Sequence, residues 1–185
     1  MRVIAGTARG RRLKELPGMD TRPTTDKVKE SLFNIIQFDI EGRSVLDLFG
    51  GTGQLGIEAL SRGASRCTFV DMSRQAAAII RENVTAVGFS NAAQVHQGDA
   101  LAFLGGCREK FGLILLDPPY QTDLLENCIQ AVGRFDILSE HGIMVCESAA
   151  EKTLPDLPAP YEKGREYRYG KIKLTVYRRQ GSEEL

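Results

Sequence analysis

Ser44 to Asp71, SVLDLFGGTGQLGIEALSRGASRCTFVD, opens with a short apolar run, Ser44 to Phe49, that has Asp47 set inside it and ends at Gly50, Gly51 and Gly53. Such a run stopped by glycines predicts a buried parallel strand leading into a tight turn. Glycines there let the backbone take positive φ and come close to a ligand with no Cβ in the way. From Gln54 the spacing of Leu55, Ile57, Ala59 and Leu60 suits a helix packed on a sheet, and Gly63 stops it. A second strand, Arg66 to Val70, then delivers Asp71 at its carboxyl end, where open α/β sheets bind ligands.

Gly51-x-Gly53-x-x-Gly56 also matches the dinucleotide pattern, with Asp71 at roughly the spacing that pattern expects. Alone, it points only to a nucleoside-bearing cofactor. Two later signals narrow the choice: Gly98-Asp99-Ala100 and Asp117-Pro118-Pro119-Tyr120. Together with the Asp47-to-Gly53 string, they resemble an S-adenosyl-L-methionine-dependent methyltransferase acting on an amino nitrogen.

Composition bounds the class. With 185 residues and 42% hydrophobic content, the chain suits a single domain over 1–185: a basic arm or hairpin at 1–20, a capping helix region at 21–42 and a core at 43–180. A two-domain dehydrogenase does not fit that length. The N-terminal MRVIAGTARGRR lacks a signal-peptide apolar stretch, and no segment approaches the roughly 18 apolar residues of a membrane span. A cytoplasmic monomer is expected. Cys67, Cys107, Cys128 and Cys146 form no C-x-x-C pair and the histidines are only His96 and His141, so neither a metal site nor a disulfide framework is expected. A net charge of zero conceals two basic ends: residues 1–29 carry eight Lys or Arg against three acids, and residues 163–179 carry seven against Glu166. Charge runs are usually wet surface. Arg9, Arg11, Arg12, Lys14 and Arg22 nonetheless make a candidate phosphate-contacting arm for RNA.

In chain order, Thr21 to Asp26 predicts a capped helix start, with Val28, Leu32, Ile35 and Ile36 on one face as far as about Gln37. Ser73 caps a helix to about Val87, a strand at Ala92 to His96 follows, and a brief helix ends at Gly105 and Gly106. Gly112 to Leu116 is wholly apolar. A helix from Thr122 or Asp123, a strand at Gly142 to Glu147 and a hairpin of Tyr161–Tyr169 and Lys171–Arg179 complete the chain. Alternating strands and helices require a parallel sheet with right-handed crossovers. With the hairpin added, the expected fold is α/β and Rossmann-like, with the mixed seven-stranded sheet of the class I methyltransferases.

The cofactor in question presents an adenine, a ribose diol and a sulfonium, with no phosphate. Phe49, Gly51, Gly53 and Gly98 line its expected path. Asp47 is placed to receive the ammonium of the methionine part, Asp71 both ribose hydroxyls, and Asp99 the adenine amino group, with Met72 and Ala100 against the ring. Each acid equally suits an N-cap or a turn. Asp117 and the Pro118 carbonyl would each accept one N–H of an exocyclic base nitrogen, drawing its lone pair out of the ring. Pro119 stiffens that turn, and Tyr120 offers a ring for an extruded base.

The MRVIAG opening, Arg9-Gly10-Arg11-Arg12-Leu13, Arg22-Pro23-Thr24, the glycine turn, Leu60-Ser61-Arg62-Gly63-Ala64 and D-P-P-Y are together similar to the bacterial 16S ribosomal RNA guanine-N2 methyltransferase family of the RsmD type. The likeness implies 16S ribosomal RNA or the small ribosomal subunit as partner and guanine N2 as target. It also implies that the run holding Arg22 and Thr24 lies over the cofactor pocket. D-P-P-Y itself suits adenine N6 equally. An adenine-N6 methyltransferase, a nicotinamide-dependent reductase and a non-catalytic RNA-binding module are the other readings.

Overall fold

The apolar runs pair side by side in a computed structural model that describes residues 1–18, 26–119 and 122–182. β1 (Ser44–Asp47) is central, flanked by β2 (Arg66–Asp71) and β4 (Phe111–Leu116), with β3 (Ala93–Gln97) beyond β2 and β5 (Leu138–Ala149) beyond β4. These strands are all parallel. β7 (Ile172–Arg179) joins β5 antiparallel and β6 (Tyr161–Tyr169) closes the edge, giving the order β3-β2-β1-β4-β5-β7-β6. This is the mixed seven-stranded sheet expected of a class I methyltransferase.

Helices cover both faces, which is why β4 is buried at every position. Successive residues of β1 divide between two cores. Val45 packs with α1 (Asp26–Ile35), α2 (Gln54–Ser61) and α3 (Arg74–Ala86), while Leu46 packs with α4 (Ala100–Gly106) and α5 (Leu124–Phe135). The chain runs outward from β1 to β3, then returns to β4, so the connections after β1 and β4 leave on opposite faces. Their carboxyl ends therefore part and leave a crevice at the topological switch point.

Local expectations hold with small shifts. Ser73 caps α3, its Oγ accepting the Ala76 N–H at 3.2 Å. β5 begins at Leu138 rather than Gly142, because its pairing with β4 slips register between Phe111 and Leu113 and a positive-φ kink within the strand at His141, φ 59°, lets both Leu138 and Ile143 stay buried. The start expected for α1 at Thr21 to Thr25 lies outside the described residues.

Residues 1–16 form an arm, with one isolated bridge between Arg2 and Arg12. Its loop rests on α2: both Glu58 carboxylate oxygens accept the Ile4 N–H at 3.1 Å, and Ser61 Oγ accepts the Ala8 N–H at 2.9 Å. Gly6, φ 81°, passes so close that a Cβ would lie 1.9 Å from the Ser61 carbonyl oxygen. Among the described residues no helix is long and apolar enough to cross a membrane, and no cluster of His, Cys, Asp or Glu is grouped to hold a metal ion.

Candidate active site

Past β1 the chain turns on glycine. Gly53 N–H donates to the Gly50 carbonyl at 2.7 Å, with Gly51 at φ 59° and Gly53 at φ 83°. The turn grips the neighbouring strand end: Gly51 N–H donates to Asp71 Oδ2 and Ser73 N–H to Asp71 Oδ1, each at 2.9 Å. Asp71 is thereby fixed by backbone from two loops. Gly56 serves packing, since a Cβ there would stand 2.3 Å from Phe69 Cε1. At the end of β3, Asp99 caps α4, accepting the Ala102 N–H at 2.8 Å.

A cavity of about 420 Å³ opens where these strand ends meet, a volume within the range of small-molecule sites, roughly 300–1,000 Å³. Phe49, Gly51, Asp71, Met72, the Gly98–Ala100 stretch and Asp117 to Pro119 all line it. Met72, 65% exposed, presents an apolar side chain beside Asp71. Glu15, Asp71, Asp99 and Asp117 are its acids, and no Lys, Arg or His is among the described lining residues. A pyrophosphate would face four carboxylates there, with the Met1 ammonium, already paired with Glu15 at 3.1 Å, as the countercharge among the described lining residues. A cationic ligand is what such a lining favours.

The family model "Conserved hypothetical protein 95" matches residues 1–178. Ribosomal RNA small subunit methyltransferase D of Escherichia coli (strain K12) is 34% identical over 184 residues, covering 100% of this chain and 92% of that protein. The chain belongs to that methyltransferase family. A Bacillus subtilis (strain 168) protein named as a candidate rRNA methyltransferase, YlbH, is 40% identical over 184 residues, covering 98% of this chain and all of that one. Among solved structures, the candidate methyltransferase yhhF from Escherichia coli superposes with a TM-score of 0.89 at 34% identity, covering 98% of this chain and 99% of that one.

Within this methyltransferase D frame, not every residue singled out from the sequence reaches the cavity. Asp47 does not line it. The side chain is 1% exposed and lies behind the turn, where Oδ2 accepts the Gly56 N–H at 3.0 Å. Burial, opposed by that hydrogen bond and reinforced by Asp71, pushes its carboxyl up to about 7. An ammonium seated in the cavity therefore meets some other acid. Gly53 likewise packs inward, its Cβ position 3.3 Å from Ile57 and Ile80. Arg22, Thr24 and Tyr120 lie outside the described residues.

Sequence reasoning missed Glu15, Leu16 and Thr52, which also line the cavity. Glu15 is the single acid between Met1 and Gly18, and that break in a basic run was the only local signal. The arm brings it there. Asn83, 2% exposed on α3, accepts the Lys14 N–H at 2.7 Å and donates to the carbonyls of Lys14 at 3.0 Å and of Thr52 at 2.8 Å. One buried amide thus ties the arm to the glycine turn.

The arm's cationic side chains stay outside. Arg9, Arg11, Arg12 and Lys14 are exposed, with Arg11 donating to the Ala86 carbonyl and Lys14 pairing with Glu82 at 2.7 Å. Beneath them, Lys29 is buried and donates to the Arg2 carbonyl at 3.2 Å. Burial lowers its pKa, against the pull of Glu58 and Asp26.

Proposed function

We propose that the chain transfers the methyl group of S-adenosyl-L-methionine to the exocyclic N2 of a guanine in 16S ribosomal RNA. One observation carries the reading: Asp117, Pro118 and Pro119 share a cavity with the glycine turn, Asp71 and Asp99, and that cavity is rich in acids. The lining suits a cofactor that is cationic and has no phosphate. Asp71 and Asp99 each keep lone pairs beyond those given to backbone N–H groups, enough to accept from a ribose diol and an adenine amino group. Met72 and Ala100 offer apolar contact to the ring.

When bound, S-adenosylmethionine supplies a methyl group made electrophilic by its sulfonium. The protein's part is to prepare the nitrogen. The Asp117 carboxylate and Pro118 carbonyl accept its two N–H groups, so the lone pair turns away from the purine and toward the donor. Transfer would form the N–C bond as the bond from methyl to sulfonium breaks and S-adenosylhomocysteine leaves, and the positive charge passing to that nitrogen is where a fixed anion such as Asp117 would stabilise it most. Asp117 would also take up the proton that leaves this nitrogen. Pro119 narrows the freedom of the turn that carries these acceptors.

The test is transfer of a labelled methyl group from S-adenosylmethionine to small subunits or 16S RNA isolated without the modification, followed by nucleoside mass spectrometry. N2-methylguanosine is the expected product. N6-methyladenosine would overturn the assigned base. Absence of transfer to either substrate would overturn the reaction.

A further inference from the structure

Three of the cavity's four acids stand at strand ends, Asp71 after β2, Asp99 after β3 and Asp117 after β4, whereas Glu15 comes from the arm. In the reading above, the strand-end acids serve the ribose, the adenine and the target base. The cofactor carries one more strong cation, the α-ammonium of its methionine part, and Asp47 is buried away from it. Among the described lining residues, Glu15 is the acid left to meet that charge.

Its position is built. The preceding residue, Lys14, has both its N–H and its carbonyl clamped by Asn83, which also holds Thr52 of the glycine turn. Glu15 and Thr52 consequently line the same cavity beside that turn. The Glu15 side chain is 49% exposed, and its Oε1 takes the Met1 ammonium at 3.1 Å. A carboxylate has about four acceptor sites on two oxygens, so this contact leaves room for a second cation.

We propose that Glu15 seats the α-ammonium of the cofactor's methionine portion, an inference that rests on the S-adenosylmethionine reading. A charge-assisted hydrogen bond of this kind acts only on ligands that carry the ammonium. The full chain and a Glu15→Gln variant are titrated calorimetrically with S-adenosylhomocysteine and with methylthioadenosine, which retains the nucleoside and thioether but has no amino acid part. Glu15→Gln should weaken S-adenosylhomocysteine about tenfold to a hundredfold while methylthioadenosine binds within about twofold of the parent. Unchanged S-adenosylhomocysteine affinity, or equal weakening of both ligands, overturns the role of Glu15. A parent chain that binds neither ligand removes the cofactor reading itself, a distinct failure. Methylthioadenosine binding by the variant also reports that its cavity is intact.

Discussion

On the β2–β3 side of the cavity each carboxylate is fixed by backbone N–H groups, whereas on the β4 side Asp117 is followed by two residues that have none. Asp71 draws its local cap from Ser73, two residues on, and Asp99 draws one from Ala102, three residues on. Pro118 and Pro119 lack N–H donors, so the cap that Ser73 gives Asp71 has no counterpart after Asp117. The difference separates two tasks. Acids locked by their own loops make a preformed surface for binding. At the β4 strand end the acceptors in the cavity are the Asp117 carboxylate and the Pro118 carbonyl, and the proposed function assigns them the substrate's N–H groups.

Asp117→Ala is the sharpest way to break that division. It should lower methyl transfer by about a thousandfold or more, in the range of removing a group aimed at developing charge, with S-adenosylhomocysteine affinity within about threefold of the parent by calorimetry. Equal losses in turnover and binding would make the two sides alike. Asp71→Asn comes next and should act in the opposite sense. It exchanges an acceptor for a donor opposite the Gly51 or Ser73 N–H, so S-adenosylhomocysteine should bind about tenfold to a hundredfold more weakly, with turnover at saturating cofactor changed only a few-fold.

A smaller effect is expected from the exposed arginines of the arm, which lie outside the cavity and which the proposed function turns toward RNA. Arg11→Ala combined with Arg12→Ala should flatten the dependence of log Kd for 16S RNA on log salt by roughly 1 to 2, about one counterion per lost phosphate contact. Cofactor affinity should not move. A slope identical to the parent's would take these side chains out of the RNA surface.

Much of this geometry was legible from local pattern. Apolar runs located four of the five parallel strands, the polar edge strand β3 following from its place between a helix and Gly98-Asp99-Ala100, and the rule that ligands meet strand carboxyl ends picked out Asp71, Asp99 and Asp117. What failed was long-range. Glu15 reaches the cavity only because Asn83, Glu58 and Ser61 grip the arm from more than 50 residues away in sequence, and no local periodicity records such bonds. The start of β5 was hidden by Glu140 and His141, which interrupt the apolar run where the register slips. Asp47 is a different case. Side chains of a strand alternate, so Asp47 shares a face with Val45, whose partners include α2, and not with Leu46. Position near a strand end suggested a ligand contact, but parity already turned the side chain toward the helix.

That parity supports a last prediction, which compares the two acids of neighbouring strands, Asp47 and Asp71. Asp47→Asn keeps an oxygen for the Gly56 N–H and removes a carboxylate that is costly to ionise in the interior. S-adenosylhomocysteine affinity should therefore stay within about twofold of the parent, in contrast to Asp71→Asn. Stability should differ with pH instead. A folded-state pKa raised from 3.8 to about 7 means that the folded protein binds the proton more tightly than the unfolded chain between those values. The parent's stability from this group is complete at acidic pH and falls as pH rises toward 7, at a limiting slope of about 1.4 kcal/mol per pH unit. The variant has no proton to lose there. Urea unfolding of both proteins at a series of pH values from acidic to mildly alkaline should show the variant gaining on the parent as pH rises, with the gap levelling off above about 7. Parallel curves would mean that Asp47 ionises as easily folded as unfolded, and a variant that loses cofactor affinity would return Asp47 to the ligand's side of the turn.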